Sequence, residues 1–595
     1  MLSLFAFLLP PVLLCVLWNR WISPIGSWKQ YVIIYALATL GLNGACLGAL
    51  VYIFHNNDKL IEKLNYYNVF TFKYIMLSVF LIVLFCGMVI RYRRFIGRVK
   101  ISISDKLIQS NKFWKTLAII YALVLLCFNF VRIFDMNYCS DEAYTISLAH
   151  MNITNMLDAT ARDVHPPLYY IIVQIFSYFF GFNGISYHFA SLVPYIGILF
   201  VALTKIWKQL GKIPALILIT CASLLPTAVH FNVFIRMYSW AAFFVLLSYL
   251  ELRKILLCGT NKDYLFFVLF SLGAAYTHYY ALVSVAFFYI ALLILGFFDR
   301  KKTRAILIAC VATVIGYLPW LFVLLKTFNR VSNSFHIKRI PTFIECIAYY
   351  FEGAYPFVLF GIMFVTIAIS LLYDFSIIKI ENDKGEKCVS ICVDLPSTKL
   401  SKEGGWMLAG LLGVLGTAVV AIGVSVIFRP LLAERYLYPV AIVAWLLLGV
   451  GISKCRGKNV YAVIVLIMLL FSCVPQWYTT YTTERRENDT LKKTLEATAN
   501  EIQAGDIILS DCVHICWTIA GSYYPNTTSI LIDRSDIPVF EEDTQYWFIL
   551  IEKLDDAMGE ALEDMGYTYS EIVKYGQLGG WNVFVYKLEY SVPVD

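Results

Sequence analysis

TLAIIYALVLLCFNFVRIFDMNYCSDEAYTISLAH, residues 116–150, joins the two features that organise this chain. Its first part, 116–134, is predominantly apolar, with Arg132 its only charge, and is long enough to cross a bilayer as a helix with its backbone bonded internally. Its second part sets Asp135, Asp141 and Glu142 directly behind that run. Upstream, 91–115 carries Arg91, Arg93, Arg94, Arg98, Lys100, Lys106, Lys112 and Lys115 against a single acid, Asp105. Short loops rich in Lys and Arg stay in the cytoplasm. The helix therefore runs outward, and the acids emerge on the outer face.

The rest of the composition agrees. Of 595 residues, 59% are hydrophobic and only 15% charged, where soluble domains average about 25%. A string of soluble domains is excluded. The net charge of +7 is unevenly spread: residues 1–475 hold 40 Lys and Arg against 20 acids, and 476–595 hold 8 against 21. A large basic membrane part thus precedes a small acidic tail.

Apolar runs near 2–18, 31–54, 70–90, 116–134, 184–206, 214–230, 238–252, 264–277, 279–298, 305–325, 354–373, 405–428, 436–452 and 459–475 predict a multi-pass α-helical membrane protein with about 14 spans. The first run lacks a basic start and a cleavage site, so it reads as an uncleaved span. Basic turns at 299–304 and 453–458 and around Lys208 and Lys254 fall in the cytoplasm if 168–182, LYYIIVQIFSYFFGF, does not cross. Residues 135–183 then form one outer loop with membrane-hugging helices. Residues 373–404 are a hydrophilic cytoplasmic insertion without a motif. The tail, 476–595, alternates short apolar runs with helix-like segments, the pattern of a small extracytoplasmic α/β domain. Cys512 and Cys516 sit four apart, a spacing open to pairing but poor for a disulfide within a helix. No Cys/His set has zinc spacing.

Acids are scarce before residue 476, yet Asp135, Asp141, Glu142, Asp158 and Asp163 crowd into 29 positions of the outer loop. Carboxylates at a partly desolvated boundary suit general-base work or metal ligation, although an isolated loop acid is usually just solvated. His165-Pro166-Pro167 reads as a helix start, with His165 at a helix mouth that either binds phosphate or merely begins the helix. Arg236 and Tyr238 in HFNVFIRMYSW, His278 in AYTHYYAL, and Arg435 and Tyr436 in FRPLLAERYLYP mark the outer ends of other spans. Arginines there suit an anionic lipid head group, clamping phosphate oxygens in pairs. Glu434 beside Arg435 is equally readable as a local ion pair.

SDEAY, then DVHPPLYY, IRMYSW, YTHYYALV and RPLLAERYLYP, in that order from about 113 to 475, resemble the GT-C membrane glycosyltransferases. The nearest branch contains bacterial proteins similar to dolichyl-phosphate-mannose–protein mannosyltransferases and the lipid A aminoarabinose transferase. The resemblance implies a GT-C catalytic domain over 113–475, a polyprenyl-phosphate sugar donor, an outer-face active site and a catalytic Asp, which maps onto Asp141. It maps His165 near the carrier phosphate. At the acidic position of the family's QEARMY segment this chain has Phe234, so Asp163 or Glu142 is expected to supply a second carboxylate. Residues 1–112, a three-helix module with the basic loop, lie outside the resemblance.

The expected activity is inverting transfer of a sugar to an acceptor hydroxyl of a protein, glycolipid or wall polymer at the plasma (inner) membrane. The expected catalytic residues are Asp141, Glu142 and Asp163. His165, Arg236, Tyr238, His278, Arg435 and Tyr436 are the expected donor-phosphate and lipid contacts. No cofactor is required, because Arg and His suffice for a phosphate leaving group; clustered acids leave a divalent metal open. Beyond donor, acceptor and membrane lipid, no nucleic acid is expected. The alternative is a transporter or flippase of lipid-linked saccharides, which would place ionisable residues at the bilayer midplane and show two related halves.

Overall fold

The structure, a computed structural model, describes residues 111–590 except 298, 332–338, 375–378, 384–385, 391–400, 429, 456, 519–522, 525, 536 and 542–543. The runs expected at 2–18, 31–54 and 70–90, and nearly all of the 1–112 module, lie outside the described residues. The remaining eleven runs are helical. Among the described residues seven of these helices are long and apolar enough to cross a membrane alone, where eleven of the expected 14 runs lie. The other four runs fall short for local reasons. Pro226 splits 214–230 into two helices, and Glu251, Arg253 and Lys254 charge the end of 238–252. The helix over 264–277 has 17 residues and carries Lys262 and Asp263 in its first turn, and the side chains of the apolar helix over 354–373 are described only as far as Leu371.

Helix α1 (Asn111–Phe130) buries Ala118, Ala122, Leu125 and Asn129 on one face. Leu117, Ile120, Leu123 and Val124 stay exposed on the other, as expected where lipid replaces protein. The bundle continues through α2 (Ser140–Ala149), α3 (Ile153–Arg162), α4 (Leu168–Phe180), α5 (Gly184–Val201), α6 (Lys212–Leu224), α7 (Pro226–Phe231), α8 (Tyr238–Leu257), α9 (Asn261–Thr277), α10 (Tyr279–Gly296) and α11 (Arg300–Val331). It closes with α12 (Phe343–Tyr349), α13 (Pro356–Asp374), α14 (Lys402–Ile427), α15 (Tyr438–Lys454) and α16 (Lys458–Thr498). Helix α4 has only 13 residues, too few to span.

Helix α15 is the axle. Every residue from Tyr438 to Ile452 is buried, and α6, α8, α13, α14 and α16 pack around it. Small residues allow this closeness: a Cβ on Gly449 would stand 2.6 Å from the Pro214 Cα of α6. At one end of the bundle Lys254 holds Glu251 at 2.7 Å and Arg253 pairs with Glu403. The opposite end gathers the C-terminus of α1, the segment 135–167, the N-termini of α8, α10 and α15, and the C-terminus of α9.

Helix α16 runs 41 residues and leaves the bundle to meet a five-stranded sheet. After a hairpin over 379–383 and 386–390 (β1 and β2), the sheet strands are β3 (Ile507–Ser510), β4 (Thr528–Leu531), β5 (Tyr546–Leu550), β6 (Tyr567–Leu578) and β7 (Trp581–Tyr590). Their order is β4-β3-β5-β7-β6, parallel on the β4-β3-β5 side and antiparallel on the other. Alternation divides the apolar residues between two faces. Ile508, Trp547 and Ile549 pack with Leu491 of α16, while Leu509, Phe548 and Leu550 pack with Met558 and Leu562. Both faces are covered, which is why YWFIL in β5 is apolar throughout.

The sheet region grips the loop ahead of α2. The Tyr523 hydroxyl accepts the Tyr138 N–H at 2.9 Å and donates to the Met136 carbonyl at 2.7 Å. The Gly580 N–H donates to Asn137 Oδ1 at 3.1 Å, and the Met136 N–H to Asn488 Oδ1 at 3.0 Å. Arg132 and Glu484 form a buried ion pair next to them.

Candidate active site

Asp141 lies in the first turn of α2, where the helix dipole favours a negative charge. Its Oδ2 stands 3.3 Å from Arg435 Nη1, in the 3-10 turn that leads into α15. Arg435 therefore pairs with Asp141; no pair with its neighbour Glu434 forms. Arg236, in the loop before α8, is only 3% exposed. Its Nη1 donates to the Asp141 carbonyl at 3.3 Å and to the Tyr170 hydroxyl at 3.4 Å, and its Nη2 lies 3.2 Å from His165 Nδ1 and 3.5 Å from Nε2. The Tyr170 hydroxyl donates to Asp163 Oδ2 at 3.3 Å, and His165 Nδ1 stands 3.3 Å from the same oxygen. Two buried polar atoms in this knot have no partner among the described residues: Arg236 Nε and the Tyr238 hydroxyl. An unmet buried donor costs about 1–3 kcal/mol, so both are places where a ligand oxygen would be welcome.

The charges are set by this geometry. Burial pushes the Asp141 carboxyl up, but Arg236, Arg435 and His165 outweigh it and hold it below the usual carboxylate range. Asp163 is raised by burial and lowered further by its His165 hydrogen bond and by Arg236, ending at about 2. Both are anionic at neutral pH. Burial and Arg236 hold His165 below its ordinary value, so the ring is neutral there. A neutral ring cannot serve both contacts of Nδ1 at once: protonated it donates to Asp163 Oδ2 at 3.3 Å, and unprotonated it accepts from Arg236 Nη2 at 3.2 Å. His165, expected near the carrier phosphate, touches Asp163 and the Arg236 guanidinium.

Glu142 also departs from expectation. It is 5% exposed, and its carboxylate accepts the Cys139 N–H at 3.1 Å and the Ile235 N–H at 2.9 Å. Burial raises its pKa. Both oxygens are engaged by backbone, so Glu142 ties α2 to the Arg236 loop and does not face the site. It is a positioning residue, one helical step from the base candidate. Asp163 likewise orients His165 and Tyr170, with its charge inside the site network.

His278, Tyr436 and His165 form the polar end of a cavity of about 240 Å³ whose remaining wall includes Leu282, Val283, Leu324, Val420, Val424 and Leu431. Val420 and Val424 share one face of α14 at i, i+4. His278 Nδ1 accepts the Tyr280 N–H at 3.2 Å, which puts the ring proton on Nε2 as a free-standing donor type. Tyr436 stacks on Tyr280, with centroids 5.6 Å apart, and Tyr238 packs on His278. Phe234, at the position where the related motif is acidic, lies against the His230 ring. Tyr170 was not among the expected residues; its only sequence signal is its place in HPPLYY. Among the described residues no group of three or more His, Cys, Asp or Glu is placed to hold a metal.

The sequence matches no family model and no curated protein. Solved structures do match. ArnT from Cupriavidus metallidurans in the apo state aligns at a TM-score of 0.50 with 10% identity, over 80% of this chain and 97% of that one. The same ArnT bound to undecaprenyl phosphate aligns at a TM-score of 0.50 with 11% identity, over 81% and 100%. The chain has the ArnT fold. This likeness of fold supports the GT-C resemblance carried by SDEAY, DVHPPLYY and RPLLAERYLYP. The ArnT alignment spans essentially that whole protein, which includes more than the 113–475 stretch in which those motifs lie.

Proposed function

We propose that this protein transfers a sugar from a polyprenyl-phosphate carrier to an acceptor hydroxyl on the outer face of the plasma membrane, with inversion. The observation that supports it best is a buried guanidinium, Arg236, with an unpartnered Nε, beside Asp141 and near the mouth of an apolar cavity. The first isoprene units of a carrier suit such a cavity, and a phosphate suits the unmet donors. The ArnT structure with undecaprenyl phosphate supports the same class of carrier. On this reading the acidic tail, 476–595, is extracytoplasmic, since it grips the loop that carries the site.

The Asp141 carboxylate accepts the proton of the acceptor hydroxyl as that oxygen bonds to the anomeric carbon from the face opposite the carrier. The bond from the anomeric carbon to the phosphate oxygen breaks, and its electron pair leaves on the phosphate. Arg236, Arg435 and the Tyr238 hydroxyl stabilise that growing charge. Asp163 and His165 hold Arg236 in place. The two arginines supply the positive charge that a metal otherwise brings, so turnover is expected to be insensitive to EDTA.

The test is to give the purified protein a panel of polyprenyl-phosphate sugars and measure release of free polyprenyl phosphate. Asp141→Asn is expected to lower release by about 100- to 10,000-fold while undecaprenyl phosphate binding persists. Release at the parental rate by this variant overturns the assignment of the base. No release by the parental protein with any donor overturns transfer and favours transport.

A further inference from the structure

A second cavity, of about 530 Å³, opens next to the site and shares no lining residue with the first. The two are divided by consecutive residues, with Arg435 lining this one and Tyr436 the apolar one. Its wall carries Glu352, from the loop between α12 and α13, and Glu434, with His230, Tyr349 and Arg435 completing the polar set. Its size lies in the range of sites that bury a small ligand.

The lining sets two acids against Arg435, and the charge of Arg339 also reaches Glu434 from outside it. Arg435 is committed to Asp141 at 3.3 Å. Among the described residues neither Glu352 nor Glu434 has an ion-pair or side-chain hydrogen-bond partner. Burial, and then the charge of Glu434, push the Glu352 carboxyl above its usual range, the signature of an acid lacking a counter-charge. The Tyr349 residue is only 8% exposed, and its hydroxyl is buried without a partner. An acidic rim, an unsatisfied hydroxyl in the wall and continuity with the base candidate through Arg435 together describe a seat for a hydroxylated cation.

We propose that this cavity receives the acceptor, and that the acceptor head group is an amino sugar. Its ammonium sits between Glu352 and Glu434, a ring hydroxyl meets Tyr349, and the hydroxyl to be glycosylated passes Arg435 to reach Asp141. This rests on the glycosyl-transfer reading above and adds the class of acceptor. The carrier and the acceptor then approach from separate cavities, and only the second carries negative charge.

The test uses the full chain in lipid nanodiscs and a photoreactive glycoside of glucosamine, with its N-acetyl counterpart as the neutral control. Labelled peptides are identified by mass spectrometry. The amine probe is expected to label residues 226–231, 349–352 and 433–435 about fivefold more strongly than the neutral one, with the preference shrinking as salt is raised. Glu352→Gln with Glu434→Gln is expected to abolish the preference, and each single variant to reduce it. Equal labelling by the two probes, or an unchanged preference in the double variant, overturns the proposal. Undecaprenyl phosphate binding is measured on the same samples and confirms that the variants are folded. In the parental protein, equal labelling with carrier binding kept refutes the acceptor class alone; amine capture without carrier binding refutes the donor reading instead.

Discussion

Arg236→Lys isolates the contribution of the guanidinium shape, because charge is kept and geometry is lost. The parental side chain engages the Asp141 carbonyl, the Tyr170 hydroxyl and the His165 ring, and leaves Nε pointing at no protein partner. A lysine has one nitrogen to serve these positions and no planar fork. It satisfies one or two of them and abandons the rest, including the vacant Nε direction assigned to the phosphate. Losing two hydrogen bonds to charged groups costs about 3 kcal/mol or more, at about 1.5–3 kcal/mol each. With about 1.4 kcal/mol per factor of ten, release of polyprenyl phosphate should fall by about 100-fold or more. The loss should fall on kcat, since the phosphate charge grows in the transition state. The assay is steady-state release from purified protein, with thermal unfolding recorded in parallel. A folded Arg236→Lys protein with kcat within about threefold of the parent refutes the reasoning, as does a loss confined to KM.

Three further outcomes follow from the same contacts. Asp141 is held below the usual carboxylate range by two arginines that outweigh burial, so its base form persists as pH falls toward 5; Arg435→Gln removes one of them and should move the acidic limb of the pH–rate profile upward, read by release assays from pH 4 to 8. Glu142→Gln leaves one carbonyl for two backbone N–H groups and sets an amide donor against the other, which should destabilise the protein by about 1–3 kcal/mol in thermal unfolding without moving the pH profile. Tyr523→Phe deletes both hydrogen bonds to the 136–138 loop and should lower transfer and cost about 1–2 kcal/mol, with undecaprenyl phosphate binding unchanged.

The sequence makes some of this plain and conceals the rest for physical reasons. An apolar run that ends in SDEAY behind a basic loop is enough to predict a direction for α1 and to single out Asp141 as a candidate. Arg236 and Arg435 were legible as charges at span ends, where a charge needs a reason. What cannot be read is which way neighbouring side chains face. Asp141 and Glu142 are equivalent in composition, yet one helical step separates a site carboxylate from one spent on backbone. The spacing from Cys139 to Glu142 is the cap geometry in which a third-position Glu turns back to the chain, and it was the available signal. Glu434 and Arg435 likewise diverge within one 3-10 turn. The neutral His165 depends on burial that no motif reports, and Glu352 comes from a loop with no pattern at all.

The grip of the sheet region on residues 136–138 bears on how a working copy is manufactured. Tyr523 lies 385 residues beyond Tyr138 in the chain, and Gly580 lies 443 beyond Asn137. By the time a ribosome reaches them, every helix of the bundle is already synthesised, and the loop ahead of Asp141 is held only from α16, through Asn488 and Glu484. Threading through the membrane and completing the grip on that loop are thus separate events. A copy truncated after α16 keeps the α16 contacts and loses those of Tyr523 and Gly580, so a change far along the chain bears on the loop that carries Asp141.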